Sequence, residues 1–138
     1  MEIKQDKIAK KVLITVGYAF FMYKLFVYGT LKFGQVHHVL LAGREGIQAI
    51  APHIQLHAGP DYPFAAKGIG SSKGEVYHID FETLQKIDEL EGHPDDYQRV
   101  LIPVILADGH ITEAWIYLNE SKAFLYPLIP EGDWWPEE

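Results

Sequence analysis

The chain has 138 residues, 48% apolar and 13% aromatic, with 12 Lys and Arg against 19 Asp and Glu, a formal net charge of −7 and no cysteine. That length and apolar share suit one globular domain with its own core rather than a disordered chain. The acidic balance, with no local basic patch to offset it, argues against a nucleic-acid partner, and the missing cysteines remove disulfides, thiolate nucleophiles and cysteine-based zinc sites, leaving the cytoplasm as the default setting.

Residues 1–21 form an N-terminal extension. A basic, polar start is followed by a ten-residue apolar run, residues 12–21, and then by Met22. The pattern resembles a signal peptide, but Phe20, Phe21 and Tyr23 stand where a cleavage site needs small residues, and the run is too short to span a bilayer. An extra packed element, or an in-frame extension ahead of a domain over residues 22–138, explains it as well. From Leu25, the run Leu-Phe-Val-Tyr cut off by Gly29 reads as a fully buried strand that ends in a tight turn, Tyr28-Gly29-Thr30-Leu31, followed by a short helical segment around Val36 to Leu41. Its glycine-framed N–H groups suit an anion or a developing oxyanion. Residues 46–67 read as two short strands and a hairpin, with Tyr62-Pro63 a candidate cis bond, residues 68–74 as a loop, and Gly74 to His78 as a strand.

The next element is a short helix. Asp80 is a fair N-cap, Thr83 stands where a full capping box has Glu or Gln, and Gly92 with Pro94 ends the helix near Glu91. At about 100° per residue, Phe81, Leu84 and Ile87 share one stripe, and Asp88 and Glu91 fall on that side too. An ionised carboxylate taken out of water is costly, so two inward acids need either partners or a pocket that uses them. The plain alternative is structural, a salt bridge from Glu91 to Arg99 or Lys73. Beyond the helix, Tyr97 to Ala107 and Ile111 to Leu118 form a hairpin around Asp108-Gly109, with Pro103 demanding an edge or bulge. Residues 119–138 read as a tail whose Trp134 and Trp135 pack back over the domain.

Several chemistries fall away. Gln35 and Val36 stand where a phosphate loop needs Lys and Ser or Thr. His53 and His57 lack a third ligand at a telling distance, and Ser71 and Ser72 lack a nucleophile elbow. Asp88 and Glu91 lie on one side of a helix, whereas a glycosidase pair flanks its substrate.

Three motifs in order, Tyr28-Gly29-Thr30-Leu31-Lys32-x-Gly34-Gln35, Gly74-Glu75-Val76-Tyr77, and Leu90-Glu91-Gly92-x-Pro94-x-x-Tyr97-x-Arg99, resemble the gamma-glutamylcyclotransferase-like superfamily, most closely its gamma-glutamylamine cyclotransferase branch. The likeness runs from about Met22 to Tyr117, and Gly132-Asp133-Trp134 resembles an ending of bacterial and archaeal members. The resemblance implies an α+β fold, a small mixed β-barrel with flanking helices, and a cavity between the first turn and the carboxylate helix. It implies Glu91 as the catalytic acid and base, Tyr28, Gly29, Thr30 and Leu31 as the substrate-binding turn, and release of 5-oxoproline from a gamma-glutamyl amine or amino acid, with no metal or organic cofactor.

The chemistry is coherent with these residues. A carboxylate that trades protons with an α-amine needs a raised pKa, and burial together with a like charge at Asp88 would supply one to Glu91. Asp88, Tyr97 and Arg99 are expected as supports, with Tyr117 and Trp134 weaker candidates for the cavity wall. The partner is a small gamma-glutamyl molecule, with neither nucleic acid nor membrane involved, and the apolar run with the tryptophan tail offers a homodimer surface. The alternative function is a non-catalytic binding protein that holds a small carboxylate or amino-acid derivative in the same cavity.

Overall fold

The computed structural model describes residues 22–137, so the expectations for residues 1–21 lie outside the described residues. Its first element, β1 (Tyr23–Val27), is apolar on both sides from Leu25 onward, where both sides are covered. Phe26 points into one core with Val76, Ile102, Val104, Ala114 and Ile116, while Leu25 and Val27 point into a second with Tyr77, Ile79, Leu84 and Ile87. The strand pairs antiparallel with β3 (Pro63–Ile79), from Tyr23 opposite Ile79 to Val27 opposite Glu75. Its other edge runs parallel to β5 (Ile111–Leu118) at Leu25 and Trp115.

The order β3-β1-β5-β4-β2, with β4 at Gln98–Leu106 and β2 (Ile47–Ala58) returning to β3, closes the sheet into a small, uneven ring. This is the mixed barrel that the motifs imply. The first core fills the ring, and the second lies between its outer wall and the helix that follows β3.

Two details of the β2–β3 ribbon depart from expectation. Residues 68–74 are not a loop but the middle of a 17-residue strand. Glycine marks close approach here: a Cβ on Gly74 would sit 2.3 Å from the Val27 carbonyl, and one on Gly68 would meet the Gln55 side chain at 1.8 Å. In β2, the register shifts between Pro52 and Ile54, with His53 at φ 61°, so a bulge carries the proline that a continuous strand would reject. The cis peptide bond joins His93 to Pro94, not Tyr62 to Pro63.

The hairpin of β4 (Gln98–Leu106) and β5 forms as expected. β4 meets β2 only at Ile105 and Leu106, so Pro103 lies on a stretch with a free second edge. The tail also packs back: α2 (Glu120–Ala123) is capped by Asn119, β6 (Leu128–Ile129) pairs with β2, and Trp134 enters the barrel core. Trp135 stays half exposed.

Helix α1 (Phe81–Glu91) has the expected ends. The Asp80 carboxylate accepts the Thr83 N–H at 2.8 Å, and Gly92 turns into the left-handed region at φ 69° while the His93 N–H closes onto the Asp88 carbonyl. Leu84 and Ile87 are buried as the stripe requires, but Phe81 is half exposed and leans on Tyr23 instead. No helix among the described residues is long and apolar enough to cross a membrane.

Ile87 is fully buried one turn before Glu91 and fixes the helix to the barrel. Replacing it with alanine is expected to cost ~2–5 kcal/mol through lost burial and a residual cavity, measured as a lower urea midpoint with an unchanged slope.

Candidate active site

A cavity of about 270 Å³ opens between the turn that leaves β1 and the C-terminal end of α1. Tyr28, Gly29, Thr30, Leu31, Glu91 and Tyr97 all line it, although Leu31 and Glu91 lie 60 positions apart in the chain. The barrel makes the meeting possible, because β1 and the strand that feeds the helix are hydrogen-bonded neighbours.

The turn is tightly folded. Lys32 donates its N–H to the Gly29 carbonyl at 3.0 Å, Gln35 to Lys32 at 2.9 Å and His37 to Thr30 at 2.9 Å. Among the described residues, no backbone acceptor takes the N–H groups of Gly29, Thr30 and Leu31. Successive free N–H groups on the wall of a cavity form a site for an anion. Gly29 is there for space, since a Cβ would lie 2.9 Å from the Pro63 ring.

Asp88 and Glu91, alike in sequence, meet different fates. Asp88 is fully engaged: the Arg99 guanidinium donates to its two oxygens at 2.8 and 3.2 Å, and the Tyr117 hydroxyl donates at 2.7 Å. Arg99 also lies over the Trp115 ring at 4.4 Å. Asp88 and Arg99 therefore pair with each other outside the cavity lining, whereas Glu91 reaches the cavity with no salt-bridge partner among the described residues. Its carboxyl is pushed up to about 7, first by burial and then by the negative charge of Asp96. Asp96, not Asp88, is the like charge that raises it, and Asp96 shares the cavity wall with Glu91 whereas Asp88 does not. Asp96 is held by the Lys122 ammonium at 2.9 Å and the Asn119 amide at 2.8 Å.

Of the four tyrosines on the wall, Tyr28, Tyr97 and Tyr117 have each committed their one proton. Tyr28 donates to the Tyr117 carbonyl at 2.6 Å, Tyr97 to the Pro63 carbonyl at 3.0 Å, and Tyr117 to Asp88. Burial raises the pKa of all three, so they stay neutral and can offer a ligand only acceptor lone pairs. The cavity thus combines donors from one turn with acceptors from tyrosines and one proton-exchanging carboxyl. That set complements a ligand that carries both a carboxylate or carbonyl and an ammonium.

Sequence reasoning missed His37, Tyr62, Pro63, Leu90 and Asp96 on the wall. Only Asp96 carried a usable signal, its place in the helix-ending turn where its N–H reaches back to the Gly92 carbonyl at 2.8 Å. Tyr117 does line the cavity, while Trp134 belongs to the barrel core.

Residues 25–136 match the family model described as gamma-glutamyl cyclotransferase, AIG2-like. A Vibrio cholerae protein is 36% identical over 112 residues, 80% of this chain and 93% of its own. The gamma-glutamylcyclotransferase family protein YtfP of Escherichia coli K12 is 35% identical over 113 residues, 80% of this chain and 95% of its own. Among solved structures, YkqA of Bacillus subtilis superposes with a TM-score of 0.69 at 29% identity over 83% of this chain, which spans only 40% of YkqA. An AIG2-like protein of Mus musculus, at 24% identity and a TM-score of 0.66, shares the fold over 85% of this chain and 97% of its own.

The raised pKa of Glu91 has a stability consequence whose sign is fixed. Between its ordinary value of 4.5 and about 7 the folded state holds the proton more firmly than the unfolded one, so stability falls as pH rises through that window. Glu91→Gln, which carries no charge, is expected to melt close to the native protein at pH 4.5 and above it at pH 8, by on the order of 2–3 kcal/mol. Thermal melts of both proteins at the two pH values measure the difference.

Proposed function

The chain belongs to the gamma-glutamyl cyclotransferase, AIG2-like family, its function is of the gamma-glutamylcyclotransferase type, and from that premise we propose that it releases 5-oxoproline and a free amine from a gamma-glutamyl amine or gamma-glutamyl amino acid. Glu91 is the acid and base of this reaction, and the Tyr28 to Leu31 turn binds the glutamyl end. The observation that carries the reading is the position of Glu91: a carboxyl pushed up to about 7 on the wall of a cavity whose facing turn has N–H groups that no backbone acceptor among the described residues takes.

The reaction needs proton traffic more than anything else. The substrate's α-nitrogen begins as an ammonium and ends as a lactam N–H, so it gives up two protons, while the leaving nitrogen begins as an amide N–H and ends as an ammonium, so it gains two. Ionised Glu91 takes the first proton, which frees the amine to attack the γ-carbonyl. The carbon–nitrogen bond of the five-membered ring forms, and the carbonyl oxygen becomes an oxyanion. Glu91, now protonated, then donates to the leaving nitrogen as the amide bond breaks, and the second exchange passes between the ring nitrogen and the released amine through Glu91 or solvent. A carboxyl poised near neutrality exchanges in both directions at little cost.

The remaining barrier is lowered by the fold of the substrate itself. Nucleophile and electrophile belong to one molecule, so the cavity has only to hold the chain bent. Neutral tyrosine oxygens accept from the ammonium, and the turn N–H groups receive the α-carboxylate or the oxyanion. The cytoplasm is the proposed setting, as the default for an acidic chain without cysteine.

The test is 5-oxoproline release, followed by mass spectrometry over a panel of gamma-glutamyl amines and gamma-glutamyl amino acids. Glu91→Gln is expected to lower kcat/KM by about 10²–10⁴-fold, the contribution typical of a positioned acid and base. In the native protein kcat/KM should rise with pH through an acid limb near 7, because Glu91 must be ionised to accept the first proton. Asp96→Asn removes the neighbouring charge and should move that limb to lower pH. A folded native protein that binds these compounds without turning over any of them would leave a binding function in its place.

A further inference from the structure

Two buried charges outside the cavity have no part in this chemistry. Lys32 is 2% exposed and Glu75 is 7% exposed. Charged side chains are rarely buried so deeply unless their partners matter, because desolvation is costly. Each belongs to a motif whose purpose the reaction leaves open: Lys32 follows the substrate turn, and Glu75 sits in Gly74-Glu75-Val76-Tyr77. The C-terminal Gly132-Asp133-Trp134 is a third such motif.

All three converge on the back of one turn. Glu75 Oε1 accepts the Phe33 N–H at 2.9 Å and the Tyr77 hydroxyl at 2.9 Å. The Lys32 ammonium donates to the Trp134 carbonyl, lies 3.7 Å from the Asp133 carboxylate and sits 3.6 Å from the centre of the Trp135 ring. The tail itself is pinned to β3, where the Lys73 N–H donates to the Gly132 carbonyl at 2.7 Å. Gly132 approaches so closely, at φ 66°, that a Cβ would lie 2.0 Å from the Ser71 carbonyl.

The geometry assigns Lys32 and Glu75 as positioning residues that set the substrate turn from behind, with the C-terminal segment as the clamp for Lys32. This rests on the function proposed above. Residues 29–31 line the cavity, and among the described residues no backbone acceptor takes their N–H groups, while residues 32 and 33, the next two in the chain, are fixed by side chain and amide to the tail and to β3. A turn left to relax would satisfy its own amides or rotate them toward water. Holding Phe33 N–H on a buried carboxylate and Lys32 in a closed cage keeps the three preceding N–H groups aimed at the ligand. Preorganised donors of this kind contribute because they need not rearrange as charge develops. The motifs far apart in the sequence thus serve one purpose, and the end of the chain is part of the site without touching the substrate.

The test uses Glu75→Ala, Glu75→Gln and Trp135→Ala in the full chain, with two readouts: 5-oxoproline release, and the shift of the Gly29, Thr30 and Leu31 amide resonances on titration with L-glutamate as a carboxylate probe. Glu75→Gln keeps an oxygen for both donors, so it is expected within about threefold of the native kcat/KM, whereas Glu75→Ala misplaces the turn and is expected to lose about 10–100-fold. The acid limb near 7 stays in place in both, since Glu91 is untouched, and the glutamate response weakens in Glu75→Ala alone of the two. Trp135→Ala removes a half-exposed ring that the fold does not need, so it keeps the test open if Glu75→Ala does not fold; it is expected to lower kcat/KM about threefold, the weight of an exposed cation–π contact. Native values in all three variants, or equal losses in Glu75→Ala and Glu75→Gln, would overturn the assignment. If the native protein turns over no gamma-glutamyl compound yet glutamate still shifts the turn amides, the cyclotransferase reading fails alone, and the glutamate response of the variants decides the positioning role. Absence of both turnover and response would overturn the two together.

Discussion

The Arg99 to Asp88 bridge is the interaction on which the site depends. It takes the one guanidinium close to the end of α1 and spends it, in two parallel hydrogen bonds, on the carboxylate one turn before Glu91. Had Arg99 reached Glu91 instead, the carboxyl in the cavity would have stayed ionised and acidic, a structural salt bridge with no proton to trade. Tyr117 strengthens the choice by donating to the same Asp88, and Trp115 gives the guanidinium a flat surface to rest on. The bridge also joins the helix to the β4–β5 hairpin, so one contact both fixes the helix and withholds a cation from the cavity.

The cost of that arrangement falls on stability. A carboxyl kept out of water near a second acid destabilises the fold wherever it is ionised, and the barrel must absorb the loss. It does so with a closed ring and two cores that share β1 as their common wall. Burial of β1 on both faces anchors the turn at its end, where N–H groups without a backbone acceptor among the described residues can be held in place. The buried Glu75 and Lys32 extend the same logic, since a charge caged by hydrogen bonds gives direction that apolar contact does not.

Much of this was legible in the order of residues. The buried first strand, the tight turn at Tyr28 to Leu31, the ends of the carboxylate helix at Asp80 and Gly92, and the hairpin around Asp108-Gly109 each follow from local rules, and each stands in the structure. The placing of Glu91 on an inward face was also within reach, since helical period alone requires it. The loop expected over residues 68–74 was the main error of local reading. Glycine and serine there signal close packing between strands rather than a turn, and a single sequence does not distinguish the two.

The sequence by itself determined the elements, the family and a short set of candidate residues, because those depend on period, turn chemistry and motif order over a few residues at a time. Tertiary structure alone decided which acid pairs with Arg99, which reaches the cavity without a salt-bridge partner among the described residues, and that Asp96 rather than Asp88 sets the charge beside Glu91. It also decided that Lys32, Glu75 and the segment from Gly132 to Trp135 meet behind one turn. The physical reason is that burial and Coulomb interaction depend on distances across the barrel, and ring closure brings together residues that lie tens of positions apart.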